Sequence, residues 1–293
     1  MQSSTYRPEI DGLRGVAVLA VLGFHLKLSG FDSGYLGVDA FFVISGFLIT
    51  QIILRQQEAN SFSIKGFLLR RAKRLFPALG VVTFTTLIAS FFLFDPSQLE
   101  RVANSVIGVA LYVSNFVFMF ENNGYFAVSS DTSPLLHTWS LGVEEQFYLV
   151  FPLFLILIAR YLPSRRLLLV ASATALSALS WVWVNDYQPI GLLSDYAFFM
   201  LPTRAWEFGI GAIIAIVTMG SRLNTPSRLK RIALTTISLL LVLIGWVQPA
   251  FLALGLGLST VSFAVGFGLL LVVASQGILL KVLSIKPLLA VGL

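Results

Sequence analysis

The chain has 293 residues, 57% of them hydrophobic and only 12% charged, with a mean hydropathy of +0.86. A soluble domain averages about 25% charged residues, so this composition excludes a compact soluble domain and predicts an all-α, polytopic transmembrane helix bundle. There is no cysteine, which excludes disulfides, thiol catalysis and thiolate metal sites.

The net charge of +6 is unevenly spread. Arg7, Arg55, Lys65, Arg70, Arg71, Lys73, Arg74, Arg160, Arg165, Arg166, Arg222, Arg228, Lys230, Arg231, Lys281 and Lys286 cluster in or beside a few loops. Asp32, Asp95, Glu100, Glu121, Asp131, Asp186 and Asp195 lie in the others. The positive-inside rule places the basic loops and the N-terminus in the cytoplasm. The basic bias is thus a topology signal, not a nucleic-acid footprint. Met1 to Glu9 is polar and lacks a cleavable signal pattern, so the first helix stays in the membrane.

Hydrophobic segments run over about 11–29, 36–54, 77–94, 102–120, 140–159, 167–184, 197–219, 232–249 and 251–278. The loops at 55–76 and 160–166 are both basic, yet three segments lie between them. Three crossings cannot return to the same side, so one segment is re-entrant or interfacial. Segment 102–120 is the best candidate, because it carries Asn104, Ser105, Ser114 and Asn115. The expected architecture is about eight crossings plus one re-entrant piece in a single transmembrane domain. Residues 121–139 and 185–196 become external loops and 220–231 an inner one. Lys281 to Leu293 reads as the beginning of a further helix, so a missing C-terminal end is expected.

The first two helices carry costly charge. A charged side chain in lipid costs about 2.5–3.5 kcal/mol on insertion scales. Yet the first holds Asp11, Arg14 and His25, and the second opens with Gly37-Val38-Asp39. Eleven residues separate Arg14 from His25. On a helix they differ by only ~20° in azimuth and lie ~16 Å apart along the axis. Arg14 is expected near the entry side and His25 deep inside. Asp11 and Arg14 have the spacing to pair. In the bland reading Arg14 snorkels to headgroups and His25 caps the helix end.

Three further clusters stand out. Arg70, Arg71 and Arg74 share or adjoin one helical face, and arginine forks suit phosphate oxygens. A basic stop signal for anionic lipid fits them equally well. Pro77 fits the start of the third spanning helix. His137-Thr138-Trp139 leads into an apolar helix opened by Glu144 and Glu145, of which at most one can face a given cavity. Trp139 and Tyr148 fit interfacial belt positions. Arg204 and Glu207 have the spacing to neutralise each other, and Arg204 remains a candidate contributor to a site. No phosphate-binding P-loop, zinc-protease His-Glu-x-x-His or nucleophile elbow is present. Two distant histidines make a dedicated metal site improbable, and none is assigned. Gly30 and Gly142 stand where an aspartate would follow each histidine in soluble phospholipid-type acyltransferases.

Together these motifs resemble the membrane-bound acyltransferase-3 family, which includes O-acetyltransferases of O-antigen and other cell-envelope polysaccharides. The resemblance rests on Tyr6-Arg7-Pro8-Glu9-Ile10-Asp11-Gly12-Leu13-Arg14-Gly15, His25 and Gly37-Val38-Asp39-Ala40-Phe41-Phe42-Val43-Ile44-Ser45-Gly46-Phe47. It continues through Arg70-Arg71-x-x-Arg74-x-x-Pro77, His137-Thr138-Trp139-Ser140-Leu141-Gly142-Val143-Glu144-x-Gln146-Phe147-Tyr148 and Arg204-x-Trp206-Glu207. It implies a bacterial inner-membrane enzyme of about ten helices. Acetyl-CoA in the cytoplasm is the implied donor, and a periplasmic glycan such as O-antigen the acceptor. Some members carry a further SGNH-type domain after the membrane part. Arg14 and His25 are implied to be essential and the arginine cluster important.

The expected mechanism places CoA phosphates on Arg70, Arg71 and Arg74. His25 acts as general base or transient acyl carrier, oriented by Asp39 or Glu144. Arg14 stabilises thioester or phosphate charge. Trp139 and Arg204 are candidates for binding the acceptor. A transporter or flippase of lipid-linked glycan is the rival reading, and the lack of a clear inverted repeat counts against it.

Overall fold

The computed structural model describes residues 6–121, 133–161, 196, 198–220, 227–247, 255–275 and 277–292. Among them the secondary structure is helical throughout: α1 Pro8–His25, a 3-10 turn Gly34–Leu36, α2 Gly37–Glu58, α3 Ile64–Leu93, α4 Pro96–Ala110 and α5 Ser114–Glu121. There follow α6 Thr138–Tyr161, α7 Leu201–Gly220, α8 Arg228–Val247, α9 Gly255–Val273, α10 Gly277–Leu283 and α11 Lys286–Gly292. The expected segment 167–184, the external loop 185–195, Arg165, Arg166, Asp131 and Arg222 lie outside the described residues.

Four helical stretches among the described residues are long and apolar enough to cross a membrane: Gly34–Glu58, Ile64–Leu93, Thr138–Leu157 and Arg228–Val247. Phe263–Val273 with α10 makes a fifth if that bent pair is one broken span. The protein is therefore a multi-pass helical membrane protein.

The chain divides into two compact units. One holds the described residues up to Gln51 and from Glu207 onward; the other holds those from Ile52 to Trp206.

In the first unit, several glycines let backbone meet backbone. A Cβ on Gly12 would run into the Leu283 carbonyl, and one on Gly292 into the Asp11 carbonyl, so α10 and α11 lie directly against α1. Gly46 and Gly211 give α2 and α7 the same approach, against the Phe208 and Val43 carbonyls. Small residues at such seams let apolar helices gain dispersion contacts that lipid cannot match. Phe42 stacks on Phe208 between them at 4.6 Å. The α1–α2 loop is tied to the end of α8. Ser33 Oγ donates to the Trp246 carbonyl at 2.6 Å, and Trp246 Nε1 donates to the Gly30 carbonyl at 3.1 Å.

In the second unit, α3 begins at Ile64, well before the expected 77, capped by the Ser63 hydroxyl on the Gly66 N–H. Pro77 is inside this helix, not at its start, so the arginine cluster and the apolar span form one 30-residue rod. The correction has a simple cause. The run Phe67 to Arg74 carries no glycine or proline, and its strong helix formers continue a helix across the membrane surface.

The expected re-entrant segment is split. α4 ends at Ala110 and α5 restarts at Ser114, and neither is long enough to span. Tyr112 adopts φ +57 between them, with Val113 N–H to Gly108 O and Tyr112 N–H to Val109 O closing a Schellman cap. Ser114, Asn115 and Ser105 of this segment are buried. Polar side chains and a broken helix at this point fit protein-lined backbone at membrane depth.

Candidate functional site

In the first unit the charges of α1 are built into the packing. Pro8 starts the helix, where its missing N–H costs nothing. Arg7 Nε donates to buried Glu9 Oε1 at 2.7 Å, and its Nη2 reaches the Leu271 carbonyl of α9 at 3.1 Å. Its guanidinium also lies over Phe47, 5.4 Å from the ring centre. Arg14 Nη1 stands 3.6 Å from Asp11 Oδ1, the i,i+3 pair that the spacing predicts. Both are half-buried, beside the glycines that receive α10 and α11. Asp39 is buried in the first turn of α2, where the helix dipole favours a carboxylate.

His25 is the last residue of α1. A Schellman cap follows at once, with Lys27 at φ +53, Lys27 N–H on Phe24 O and Leu28 N–H on Gly23 O. The side chain is exposed among the described residues. The helix ends at 25, short of the apolar run to 29 read from the sequence. His25 Nδ1 lies 2.8 Å from the Val21 carbonyl, and Phe24 meets the ring edge-on at 5.4 Å.

A carbonyl only accepts, so this contact is a hydrogen bond when Nδ1 carries the ring hydrogen, and in that neutral tautomer Nε2 holds the lone pair. The Val21 carbonyl is one group that orients the ring. Because α1 runs unbroken through Arg14 and His25, their separation is the ~16 Å of eleven helical rises.

In the second unit the arginine cluster separates by environment. Arg70 and Arg74 are exposed on one face of α3, and Arg70 Nη2 reaches Gln56 Oε1 at 3.5 Å. Arg71 turns inward. Its guanidinium lies over the Tyr148 ring, 3.9 Å from the centroid. The Tyr148 hydroxyl donates to Glu144 Oε1, one turn back on α6. Phe67 closes the far side of the ring, edge-on at 6.4 Å. Arg70 and Arg74 are thus exposed, while Arg71 is half-buried with its guanidinium on the Tyr148 ring.

Trp139 and Arg204, widely separated in sequence, are brought together. Trp139 is buried against Phe198 and Phe199, at 4.6 and 5.5 Å between centroids. Arg204 lies over Phe198 at 5.0 Å and Trp139 at 5.7 Å, while its Nε donates to the Phe198 carbonyl at 3.1 Å. Phe199 is buried as well, so of the three rings only Phe198 presents an exposed face. Among the described residues no group of three or more His, Asp or Glu side chains could hold a metal ion.

A family model described as an acyltransferase domain, acyltransferase 3, matches residues 7–287. The chain belongs to the acyltransferase-3 family. It is 40% identical over 223 residues to the peptidoglycan O-acetyltransferase OatA of Listeria monocytogenes, which covers 76% of this chain and 36% of that protein. It is 32% identical over 306 aligned positions to the O-acetyltransferase OatA of Staphylococcus aureus, over 100% of this chain and 49% of that protein. The chain thus spans half or less of the length of these curated relatives. No solved structure matches it.

Sequence reasoning left three residues of this acyltransferase-3 chain without a role. Gln146 Nε2 donates to Asn115 Oδ1 at 2.8 Å and to the Tyr112 carbonyl at 3.1 Å. Asn115 Nδ2 in turn donates to the Phe199 carbonyl at 3.1 Å, so this buried chain of amides positions the aromatic floor. Glu145, beside it on α6, has a buried Oε1 with no hydrogen-bond partner. The signal was in the sequence: three polar residues on otherwise apolar helices, each too costly in lipid to stand without a purpose.

Proposed function

We propose that the chain is the membrane part of an O-acetyltransferase that moves an acetyl group from acetyl-CoA to a hydroxyl of peptidoglycan. The observation that carries this reading is the His25 geometry. With Nδ1–H held on the Val21 carbonyl, Nε2 is the basic atom and points away from its own helix. The names of the relatives point to peptidoglycan as the acceptor, in place of the O-antigen expected from sequence.

The step balances simply. Nε2 takes the proton of the sugar hydroxyl as its oxygen attacks the thioester carbonyl carbon. The C–S bond breaks, and the proton passes to the departing CoA thiolate. Arg14, about 16 Å away along α1, is too far to touch the same carbonyl, so its charge acts on the phosphate-bearing part of the donor. Arg70 and Arg74 offer exposed forks of the kind that grip phosphate. Exposed Phe198 and Arg204 offer the sugar a contact, with buried Trp139 packed against both. The orientation is N-terminus in the cytoplasm and His25 toward the outer face of a bacterial cytoplasmic membrane, where the glycan lies.

The test is transfer itself. Membranes containing the protein are incubated with labelled acetyl-CoA and peptidoglycan precursor, and label is sought on the glycan. Transfer that disappears in His25→Gln supports the enzyme. Glycan movement without any transfer would instead favour a flippase.

A further inference from the structure

The chain's charge is concentrated at its C-terminal end. After Glu207 there are six basic residues, Arg222, Arg228, Lys230, Arg231, Lys281 and Lys286, and no aspartate or glutamate. These six equal the whole net charge of +6, so the residues up to Glu207 are balanced.

The fold gathers five of the six at one end of the first unit. α9 runs antiparallel to α8. Phe263 meets Trp246 at 6.5 Å between ring centroids, a Cβ on Gly266 would meet the Ser238 carbonyl at 2.8 Å, and one on Gly277 would lie 3.9 Å from Arg231 Nε. The end of α9 is therefore level with the start of α8, where Arg228 and Lys230 are exposed. Since α8 is long and apolar enough to cross a membrane, its basic start marks a membrane surface.

At that level the chain turns by 102° from Phe263–Val273 into α10. A helix at this angle lies across the surface and does not continue the crossing. Its side chains fit that position. Ile278, Val282 and Ile285, at i, i+4 and i+7, are 80%, 51% and 50% exposed, while Leu283 is buried against Gly12 of α1. Lys281 and Lys286 are exposed on the same short stretch. Glu9 and Asp11 of α1, at the same end, pair with Arg7 and Arg14 of their own segment.

We propose that this end of the first unit is a docking surface for anionic phospholipid. Ile278, Val282 and Ile285 enter the acyl boundary, and Arg228, Lys230, Lys281 and Lys286 take the headgroup phosphates. An in-plane helix gains from burying its apolar face at that depth, and each cation beside an anionic leaflet adds its own attraction. Arg231 has a different part: half-buried, it backs the turn between α9 and α10. A soluble polyanion is the poorer match, because it would leave the three apolar side chains in water. The inference goes beyond acyl transfer and does not depend on it. Its consequence is structural: α10 and α11 bear on α1 at Gly12, Gly15 and the Asp11 carbonyl, so bound lipid steadies the helices beside the Asp11–Arg14 pair.

The chain has no cysteine, so Val282→Cys takes a single environment-sensitive dye. The labelled chain is reconstituted in dioleoylphosphatidylcholine vesicles containing an equal mole fraction of acyl-brominated phosphatidylglycerol or acyl-brominated phosphatidylcholine. Both should quench the dye, with the apparent affinity about fivefold or more higher for phosphatidylglycerol. Adding Lys281→Gln and Lys286→Gln should abolish the preference, and so should ~1 M salt on the labelled parent, where the Debye length is ~3 Å.

A dye that neither lipid quenches overturns the in-plane placement of α10 and the proposal with it. Equal quenching by the two lipids in the parent overturns the anionic preference. A preference that survives in the lysine variant takes these residues out of the site. Loss of the preference on adding adenosine 3′,5′-bisphosphate would assign the cations to a soluble phosphate ligand and overturn the proposal as well. Thermal unfolding is checked first, and if the double lysine variant does not fold, Lys281→Gln alone and the salt series carry the same comparison.

Discussion

The seam between α1 and the C-terminal helices makes a sharp prediction, because two chemically identical substitutions should act with opposite sign. Gly12 is buried on α1, and a Cβ there would overlap the carbonyl and Cβ of Leu283. Gly80 lies in the interior of α3 with nothing within 4 Å of the same added atom. Alanine in place of glycine favours either helix by about 1 kcal/mol. At Gly80 that gain is the whole effect.

At Gly12 the obstacle is backbone, which cannot rotate away. Overpacking there costs about 1–3 kcal/mol. The two variants should therefore differ by about 1–3 kcal/mol through packing alone. The displaced Leu283 strand of backbone also presses on the turn that carries Asp11 and Arg14, so transfer should fall in Gly12→Ala and hold in Gly80→Ala. Thermal unfolding of both variants and wild type in one detergent reads the first effect. A Gly12→Ala protein that unfolds at or above the Gly80→Ala protein would refute the close approach of α10 to α1.

Other expectations follow from single contacts. Gln146→Leu leaves Asn115 Oδ1 and the Tyr112 carbonyl without a donor, so it should cost about 1–3 kcal/mol in chemical unfolding; a neutral result would remove the amide network. Trp139→Ala empties the floor against Phe198 and Phe199 and should cost about 3–5 kcal/mol, whereas Trp139→Phe should keep most stability and lose acceptor affinity.

Asp95 caps α4 from outside the apolar segments. The backbone N–H of Gln98 and then the Ser97 hydroxyl hold its carboxyl below the ordinary aspartate range. A carboxyl depressed in the fold stabilises above its unfolded pKa, and that contribution is lost as the pH falls through about 4 and below. The unfolding temperature of Asp95→Asn should therefore trail wild type near neutrality, and the gap should close on acidification. A gap that is constant with pH would contradict the capping role.

Much of this was legible in the chain. The i,i+3 spacing announced the Asp11–Arg14 pair, and the parity of basic loops singled out the segment that the structure breaks at Tyr112. The break itself was not readable. Tyr112 holds a left-handed conformation usually given to glycine, and nothing in Leu-Tyr-Val marks it. The start of α3 was missed because charge was read as loop, although charge alone does not end a helix. The inward turn of Arg71 depends on Tyr148, far along the sequence, and pattern within one helix carries no trace of such a partner. His25 stands at the end of its helix with Nδ1 2.8 Å from the Val21 carbonyl, a contact set by where α1 stops and not by the eleven-residue spacing.

The most direct test is O-acetylation by wild type and His25→Gln at equal protein levels. Labelled acetyl-CoA is supplied to membranes, and label is counted on extracted peptidoglycan. Wild type should transfer label, and His25→Gln should transfer almost none. Full transfer by His25→Gln would contradict the account.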